Sequence, residues 1–323
     1  MTAPRRKIIL DTDPGGDDSI ALLWLWSLEQ QHLASLVAVT AADGNVSAQQ
    51  TFENAHRLLH LVGAKVPVGK GSPVEAIAQD ASYIHGADGL GGLSQALPLP
   101  DPISNPPAAA DLLIDRLAAQ PHRLSVVAIG PLTNLAAAEK KRPGILSLAK
   151  EIVIMGGAIA HPGNVTPQAE FNIWFNPEAA AAVLASRSDI VLMPLDVTSR
   201  LLFTTAMAEA IYQSNPHSMV AQFIRSLCQF MNTTAYGYRE TDGSAFLVHD
   251  AATLAYLVYP QLFTFRRAYV TVETQGILTR GQTLVDNRAG PEQPANVWVA
   301  TGVNPSAFFT CLQHDLKHLV QKA

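Results

Sequence analysis

Short apolar segments of strand length alternate along the chain with segments of helical periodicity. Apolar segments that are continuous and lie between helices are typical of a parallel sheet buried on both faces. The pattern therefore predicts an α/β fold with a mostly parallel central sheet flanked by helices, an open sheet of the Rossmann-like kind. The predicted strands of the first two thirds are KIIL (7–10), ASLVAVTA (34–41), LSVVAI (124–129), EIVIM (151–155) and DIVLMPL (189–195).

The helical segments lie between and after these strands. An amphipathic helix is predicted at about 18–30, a second one begins after a Ser47 cap, and TNLAAAEK follows the third strand. Further strands are predicted at 263–272, 283–286 and 297–300, with a closing helix at 305–320. The proline-rich stretch at 96–110 is interpreted as a surface connection, because the α/β pattern continues on both sides of it. We therefore expect one domain over 1–323.

Composition narrows the possible partners and the location. The 323 residues carry a net charge of −5, which gives no electrostatic basis for binding nucleic acid or an anionic membrane. The longest apolar runs, such as IALLWLWSL, are about half the length that a bilayer span needs. The two cysteines, Cys228 and Cys311, lie far apart and fit a reducing compartment. We expect a cytoplasmic protein with a small-molecule ligand.

Polar residues follow the carboxyl ends of the predicted strands. Ligands bind at this edge in open α/β sheets, so it is the predicted site. The clusters are Asp11 with Asp13, Asp43 with Asn45, Gly130 with Thr133 and Asn134, Gly156 with Gly157, and Asp196 with Thr198.

The first of these clusters, DTDPGGDD, crowds four carboxylates into eight residues, Asp11, Asp13, Asp17 and Asp18. The helix dipole favours an acid in the first turn by at most about 1 kcal/mol, which does not offset this crowding. No Lys or Arg lies in the loop, so either a cation binds there or some of the acids are protonated. Oxygen ligands favour Ca²⁺ or Mg²⁺. Because consecutive helical residues diverge by about 100°, we expect one of Asp17 and Asp18 to bind the ion and the other to face a ligand.

Three other kinds of site also place acidic residues in such a turn. Capping of a helix by solvated aspartates does not explain so many acids behind a buried strand. An EF-hand loop is excluded because its twelfth position, counted from Asp11, is Leu22 instead of Glu. A haloacid-dehalogenase-type Mg²⁺ phosphatase, with Asp11 as nucleophile and Asp13 as acid/base, stays as an alternative, although Gly15 stands where that pattern has Thr or Val.

With these residues in view, the chain resembles the inosine-uridine preferring nucleoside hydrolases. DTDPGGDD is close to the signature of that family, and further motifs follow in family order almost to the C-terminus. The resemblance implies one α/β domain, a bound Ca²⁺, hydrolysis of ribonucleosides to ribose and free base, and assembly as a homodimer or homotetramer. The further motifs are DGNVS (43–47), HGADGLGG (85–92), AIGPLTNLA (128–136), IMGGA (154–158), AEFNIWFNPEAA (169–180), LDVT (195–198), HD (249–250) and VETQGILTRGQTLVD (272–286).

The resemblance also assigns the metal centre. It implies that Asp13, Asp18, Asp250 and the backbone carbonyl of Ile129 bind Ca²⁺, and that Asp11 orients the site through hydrogen bonds. The ion would hold the ribose 2′ and 3′ hydroxyls and a water, and Asp13 would take the proton of that water as general base. A catalytically silent nucleoside-binding protein would need a lost base or ligand, and all of these residues are present.

Ribose and base recognition follow from the same resemblance. Asp17 and Asn45 would contact the 2′/3′ side of the ribose, and Asn164, Glu170 and Asn172 the remainder, with Met155 packed beside the sugar. In isolation Asn45 would be a turn residue and Asn172 a helix cap. Thr133 and Asn134 are interpreted as residues that cap a helix and make loop hydrogen bonds.

The leaving base would receive a proton from His249, whose pKa we expect to suit neutral pH. His85 would line the base pocket, and Tyr236 and Tyr238 would cover the base. The two histidines argue against the tryptophan mechanism of the purine branch and favour an enzyme that accepts either base, or one that prefers pyrimidines. Three residues depart from the family pattern, Gly16, Asn176 and Ser199.

Overall fold

The protein is described by a computed structural model over residues 5–74, 80–100, 103–234, 242–288 and 292–322. The strands are β1 (Arg6–Thr12), β2 (Ala34–Ala41), β3 (Val68–Lys70), β4 (Leu124–Ala128), β5 (Glu151–Met155), β6 (Ile190–Met193), β7 (Leu202–Thr204), β8 (Ala245–Leu247), β9 (Phe263–Ala268), β10 (Val270–Val272), β11 (Thr283–Val285) and β12 (Val297–Val303).

The helices are α1 (Gly16–Gln30), α2 (Ala48–Leu61), α3 (Ser82–His85), α4 (Ala109–Ala119), α5 (Thr133–Lys141), α6 (Phe171–Phe175), α7 (Pro177–Ala185), α8 (Leu195–Thr198), α9 (Thr205–Tyr212), α10 (Met219–Thr233), α11 (Ala251–Val258) and α12 (Pro305–Lys322). Short 3₁₀ turns lie at Leu93–Ala96, Leu146–Leu148 and Pro260–Leu262.

Eight strands form the central sheet in the order β3-β2-β1-β4-β5-β6-β12-β9. Neighbouring strands run parallel from β3 to β12, and only the edge strand β9 is antiparallel. The prediction of a mostly parallel sheet is therefore confirmed. The chain leaves β1 in one direction to β2, and the other neighbour of β1 is β4, so the strand order reverses at β1. Ligands bind at such a reversal in open α/β sheets, and Asp11 and Asp13 lie at the carboxyl end of this strand.

Alternate side chains of the strands point into two cores on opposite faces of the sheet. On β1, Ile8 and Leu10 belong to one core, together with α1, and Ile9 belongs to the other. Burial on both faces explains why the strands are continuously apolar instead of alternating.

The helix predicted as amphipathic over 18–30 is instead buried nearly all round. Within α1, only Asp17, Trp26, Glu29 and Gln30 are partly exposed, and the rest of the helix is buried. The cause is a second layer outside it, because α12 and α11 pack on α1 and cover the face that we expected to meet water.

The strand predicted over 263–272 is divided in two. β9 ends at Ala268, and β10 pairs instead with β11 in a small antiparallel sheet. The side chain of Asn296 lies at the break, where its Oδ1 accepts a hydrogen bond from the Val270 amide and its backbone amide donates to Ala268. These contacts satisfy backbone groups that the interrupted ladder would leave unpaired.

Within the described ranges, no helix has the length and apolar character needed to cross a membrane.

Asp315, a fully buried acid in α12, links the closing helix to the core by hydrogen bonds. Its carboxylate accepts hydrogen bonds from Trp24 Nε1 at 2.8 Å, Tyr259 OH at 2.8 Å and Gln31 Nε2 at 3.0 Å. Replacing Asp315 with Ala leaves these donors without an acceptor, which costs about 1–3 kcal/mol of stability for each unsatisfied group. We expect Asp315→Ala to lower the free energy of unfolding in urea by roughly 3 kcal/mol. The exposed neighbour His314 is the matched control, and a loss in Asp315→Ala no larger than that in His314→Ala would contradict the assignment.

Candidate active site

The carboxylate of Asp18 holds the N-terminal turn together. It accepts hydrogen bonds from Thr12 Oγ1 at 2.6 Å, from the backbone amides of Asp13 at 3.2 Å and Gly15 at 3.1 Å, and from Asn45 Nδ2 at 3.0 Å. Asp18 is the third residue of α1, so its bond to the Gly15 amide caps the helix. The turn between β1 and α1 is therefore fixed by one of its own acids.

The Asp13 carboxylate packs closely against Gly44 and Gly130, and Asn45 Nδ2 donates a hydrogen bond to the Asp13 carbonyl at 3.0 Å. Its Oδ2 accepts a hydrogen bond from the Asn45 amide at 2.8 Å, whereas its Oδ1 is buried and has no hydrogen-bond partner among the described residues. A Cβ built on Gly44 would lie 2.1 Å from Oδ2, and one built on Gly130 would lie 2.4 Å from Oδ1. Only glycine leaves room for the Asp13 carboxylate here, and one of its oxygens is left for a group other than the protein.

Three acids offer oxygen atoms within 4.8 Å of one another, Asp17, Asp18 and Asp250. Asp250 directly precedes α11 and comes from the opposite end of the chain. Both Asp17 and Asp18 belong to this group, so the expectation that one of them binds the ion and the other faces a ligand stays a prediction. The predicted ligand set has Asp13 where this group has Asp17, and the assignment of Asp13 to the ion stays a prediction.

Burial and mutual repulsion raise the pKa of these acids. Burial, and then the charge of Asp18, raises the pKa of Asp17 to about 7. The pKa values of Asp13 and Asp250 lie well above the usual range, again first through burial and then through neighbouring carboxylates. No Lys or Arg lines the cavity in the described part of the chain. The cluster could therefore hold a metal ion, and its all-oxygen donors and the unpartnered Oδ1 of Asp13 fit a hard divalent cation.

Asp11 lies behind the cluster and does not line the cavity. Its Oδ1 accepts hydrogen bonds from Thr40 Oγ1 and from Asn134 Nδ2, the latter at 2.8 Å. Burial raises its pKa to about 7. Asn134 lies in α5 and donates to Asp11 of β1, so this bond is neither the helix cap nor the loop hydrogen bond that we expected of it. The part of Thr40 was missed, because a threonine inside an apolar strand carries no separate signal.

The segment before α6 supplies the remaining polar wall. Glu170 caps α6, with Oε1 accepting from the Asn172 amide at 2.8 Å and Oε2 from the Gly157 amide at 2.9 Å. Asn172 is therefore not the cap. Its Nδ2 donates to the carbonyls of Ile129 at 2.9 Å and Met155 at 3.2 Å. The Ile129 carbonyl has a second lone pair, so this bond leaves its predicted role toward the ion open.

Asn164 and two of the residues that depart from the family pattern have structural contacts. Asn164 Oδ1 accepts a hydrogen bond from the Phe171 amide at 2.9 Å, and Asn164 lines the cavity. Asn176 caps α7 by accepting from Ala179, and Ser199 bonds to the Leu195 carbonyl. Neither Asn176 nor Ser199 lines the cavity.

Two buried histidines line the cavity. His85 Nδ1 accepts a hydrogen bond from the Gly16 amide at 3.0 Å, so a neutral ring carries its proton on Nε2. His249 Nδ1 lies 2.8 Å from Thr198 Oγ1. Burial lowers the pKa of His85 to about 4, and burial together with the charge of His161 lowers the pKa of His249 to about 3. The expected neutral-range pKa of His249 is therefore wrong for the protein by itself, because desolvation opposes the charged ring.

The cavity lining combines polar and apolar side chains. The predicted residues Tyr236 and Tyr238 lie outside the described residues. The polar and charged side chains of the lining are those of Asp17, Asp18, Asn45, Tyr83, His85, Asn164, Glu170, Asn172, His249 and Asp250, and its other residues are Ala81, Ile84, Ile129, Met155, Val165, Phe171, Met231, Phe246 and Leu247. Met231, Phe246 and Leu247 were missed because their sequence patterns are those of ordinary core positions.

Comparison with known proteins agrees with this geometry. The family model described as inosine-uridine preferring nucleoside hydrolase matches residues 8–310. The chain is 36% identical to a probable uridine nucleosidase of rice, over 91% of this chain and 89% of the relative. It is 36% identical to the non-specific ribonucleoside hydrolase RihC of Escherichia coli, over 94% and 96%. The solved purine-preferring ribonucleoside hydrolase of Gardnerella vaginalis is 29% identical and superposes with a TM-score of 0.89, over 98% of this chain and all of that one.

Proposed function

The chain belongs to the family of inosine-uridine preferring nucleoside hydrolases, enzymes that cleave the N-glycosidic bond of ribonucleosides, and from this premise we propose a Ca²⁺-dependent hydrolysis of inosine and uridine to ribose and free base. The observation that carries the proposal is the group of Asp17, Asp18 and Asp250 in the lining of a cavity that also carries apolar side chains. A ribose needs many hydrogen-bond partners, whereas a base needs a flat apolar surface. A lining that offers both kinds of contact fits a nucleoside.

Asp18, Asp250, the Ile129 carbonyl and Asp13 would hold the ion, with Asp17 beside them. When bound, Ca²⁺ supplies positive charge that offsets the carboxylates and a Lewis acid toward sugar and water oxygens. Asp17 and Asn45 hold the 2′/3′ side of the ribose. Glu170, Asn172 and Asn164 hold the rest of the sugar, with Met155 beside it.

Asp13 acts as the general base. Its Oδ1 is buried and has no hydrogen-bond partner within the described part of the chain, while Oδ2 is fixed by the Asn45 amide, so the carboxylate is held in place with one oxygen left to take a proton from the attacking water. Asp11 stands behind it, held by Thr40 and Asn134, and keeps this end of β1 in place.

His249 assists the leaving base with a hydrogen bond from its neutral ring, and the departing base then takes its proton from water. Because its pKa is low, the ring is neutral at pH 7 and offers an N–H to the base. The developing negative charge of the base strengthens that hydrogen bond as the glycosidic bond breaks. Thr198 holds Nδ1 and thereby orients the ring.

Base preference is the finer part of the proposal. The names of the relatives differ here, with uridine in rice, non-specific in Escherichia coli and purine in Gardnerella. All four tryptophans of this chain, Trp24, Trp26, Trp174 and Trp298, lie away from the cavity lining, which supports a mechanism that does not stack the base on tryptophan. A pyrimidine-preferring ribonucleoside hydrolase is the alternative.

The phosphatase alternative fails on its nucleophile. Asp11 is fully buried, its Oδ1 is bonded to Thr40 and Asn134, and it is not among the residues that line the cavity, which argues against attack on a phosphate ester. Together with the family match, this removes the phosphatase reading.

Assembly, domain organisation and location are also carried forward as proposals. We propose a single domain over 1–323 that forms a homodimer or homotetramer in the cytoplasm, with no nucleic-acid or membrane partner. Analytical ultracentrifugation would determine the assembly.

We expect reducing sugar to be released from inosine and uridine without phosphate, and the rate to be lost on chelation and restored by Ca²⁺.

Without an ion, the folded-state pKa of Asp11 and of Asp17 is about 7, above the 3.8 of an unperturbed aspartate. The folded protein then binds more protons than the unfolded chain between about pH 4 and 7, so its stability falls as pH rises through that window. Ca²⁺ competes with these protons, so the rise in Tm on adding Ca²⁺ should grow over the same window. A Tm insensitive to Ca²⁺ at pH 7.5 would refute the metal assignment.

A further inference from the structure

The C-terminal turn of α10 contributes an apolar side chain to the cavity lining. Met231 lies in this turn, is almost fully buried, and lines the cavity together with Phe246 and Leu247 of β8. The end of the helix is fixed there, because Thr234 Oγ1 donates a hydrogen bond to the Met231 carbonyl at 2.8 Å.

The first residue of α1 touches the Met231 side chain. A Cβ built on Gly16 would lie 2.5 Å from Met231 Sδ, 2.8 Å from Cε and 3.0 Å from Cγ. Gly16 does not have a positive φ, so the backbone there would accept an L side chain. The thioether of Met231 is thus what excludes a side chain at position 16, and it occupies the space that such a side chain would fill.

A second glycine, Gly91, packs against the same end of α10. A Cβ on Gly91, whose φ is +68°, would lie 2.4 Å from the ring of Phe230, so the glycine-rich loop packs directly on the residue before Met231. The backbone of the last turn of α10 is therefore held in place by packing, while the side chain of Met231 is flexible.

These contacts determine where Met231 can move. On its other sides it is part of the buried apolar core, which is closely packed. The open space next to it is the cavity. A methyl group added at Gly16 would push the thioether into the cavity, and removal of the thioether would widen it.

We propose that the contact between Gly16 and Met231 sets the size of the base that the site accepts. Met231 touches the base, and Gly16 is a positioning residue that acts through it. This inference rests on the proposed nucleoside substrate, because it assigns the apolar lining residues Met231, Phe246 and Leu247 to the base. A purine has two fused rings and a pyrimidine one, so narrowing the cavity at Met231 disfavours purine nucleosides more.

The test is the ratio of kcat/KM for inosine to that for uridine in the full chain with Ca²⁺. Both substrates carry the same ribose, so losses of folded enzyme, ion or chemistry cancel in the ratio. We expect Gly16→Ala to lower the ratio about tenfold and Met231→Ala to raise it severalfold, since a methylene-sized change in a base pocket is worth about 10–200-fold. The double variant, Gly16→Ala with Met231→Ala, should show an inosine-to-uridine ratio within about threefold of that of Met231→Ala alone. The thioether that the added methyl group would displace is absent from both.

Leu227→Ala is the matched control. Leu227 lies one turn earlier on α10, is buried, and does not line the cavity, so its loss should lower stability and leave the ratio unchanged. Ratios within twofold of the wild type in both single variants, or an equal shift in Leu227→Ala, would overturn the inference while leaving the proposed function intact. A wild-type chain that releases ribose from neither nucleoside would overturn both.

Discussion

Asp13→Asn is expected to lower kcat for inosine and uridine by about 10³-fold or more, within the 10²–10⁴-fold that a general base contributes together with the loss of one ligand charge. The amide has nearly the shape of the carboxylate, so the Asn45 amide can keep its 2.8 Å contact with the remaining oxygen. The chain should therefore fold as before. Initial rates of ribose release, beside a urea unfolding curve, check both halves of this expectation.

A second variant displaces the same carboxylate without removing it. A Cβ at Gly130 would lie 2.4 Å from Asp13 Oδ1, and Gly130 does not have a positive φ, so Gly130→Ala acts on the position of Asp13 more than on the backbone. We expect a loss of at least tenfold in kcat with Ca²⁺ still bound, as judged from Tm. Rates near those of the wild type in Asp13→Asn would remove Asp13 as the base, and unchanged rates in Gly130→Ala alone would show that its exact placement matters little.

His249→Ala is expected to lower kcat for inosine by about 10²–10⁴-fold but to change the rate with nitrophenyl riboside less than tenfold. The base leaves poorly as an anion and needs a hydrogen bond from the enzyme, whereas nitrophenolate is stable without one. The comparison separates leaving-group assistance from a general loss of binding, since both substrates carry the same ribose.

Thr198→Val tests how the ring is held. It removes the hydroxyl that lies 2.8 Å from His249 Nδ1 and keeps the size of the side chain, so it should reproduce part of the loss with inosine and almost none with nitrophenyl riboside. Equal losses on the two substrates in His249→Ala would exclude His249 as the group that assists the leaving base.

The low pKa of His249 changes what these measurements should show with pH. With a pKa of about 3 in the protein without ligand, the ring stays neutral through the physiological range. The rate with inosine should therefore have no His249 titration between pH 6 and 8. Desolvation, which only the folded cavity creates, is the cause of this shift.

Local patterns in the sequence determined the fold class and the position of the site. Strand-length apolar runs such as those of β1 and β5 need only their own periodicity to be recognised, and the acids that follow β1 are adjacent in the chain. The ordered motifs then identified the family. Each of these features depends on residues a few positions apart, where backbone geometry fixes the relation between side chains.

The tertiary structure decided the relations between distant residues. It set Asp250 beside Asp17 and Asp18, placed Thr40 and Asn134 behind Asp11, covered α1 on its outer face, and put Met231 against Gly16. It also lowered the pKa of His249. None of these can be predicted from periodicity, because close packing and desolvation depend on which segments the loops bring together, and that is a property of the whole folded chain.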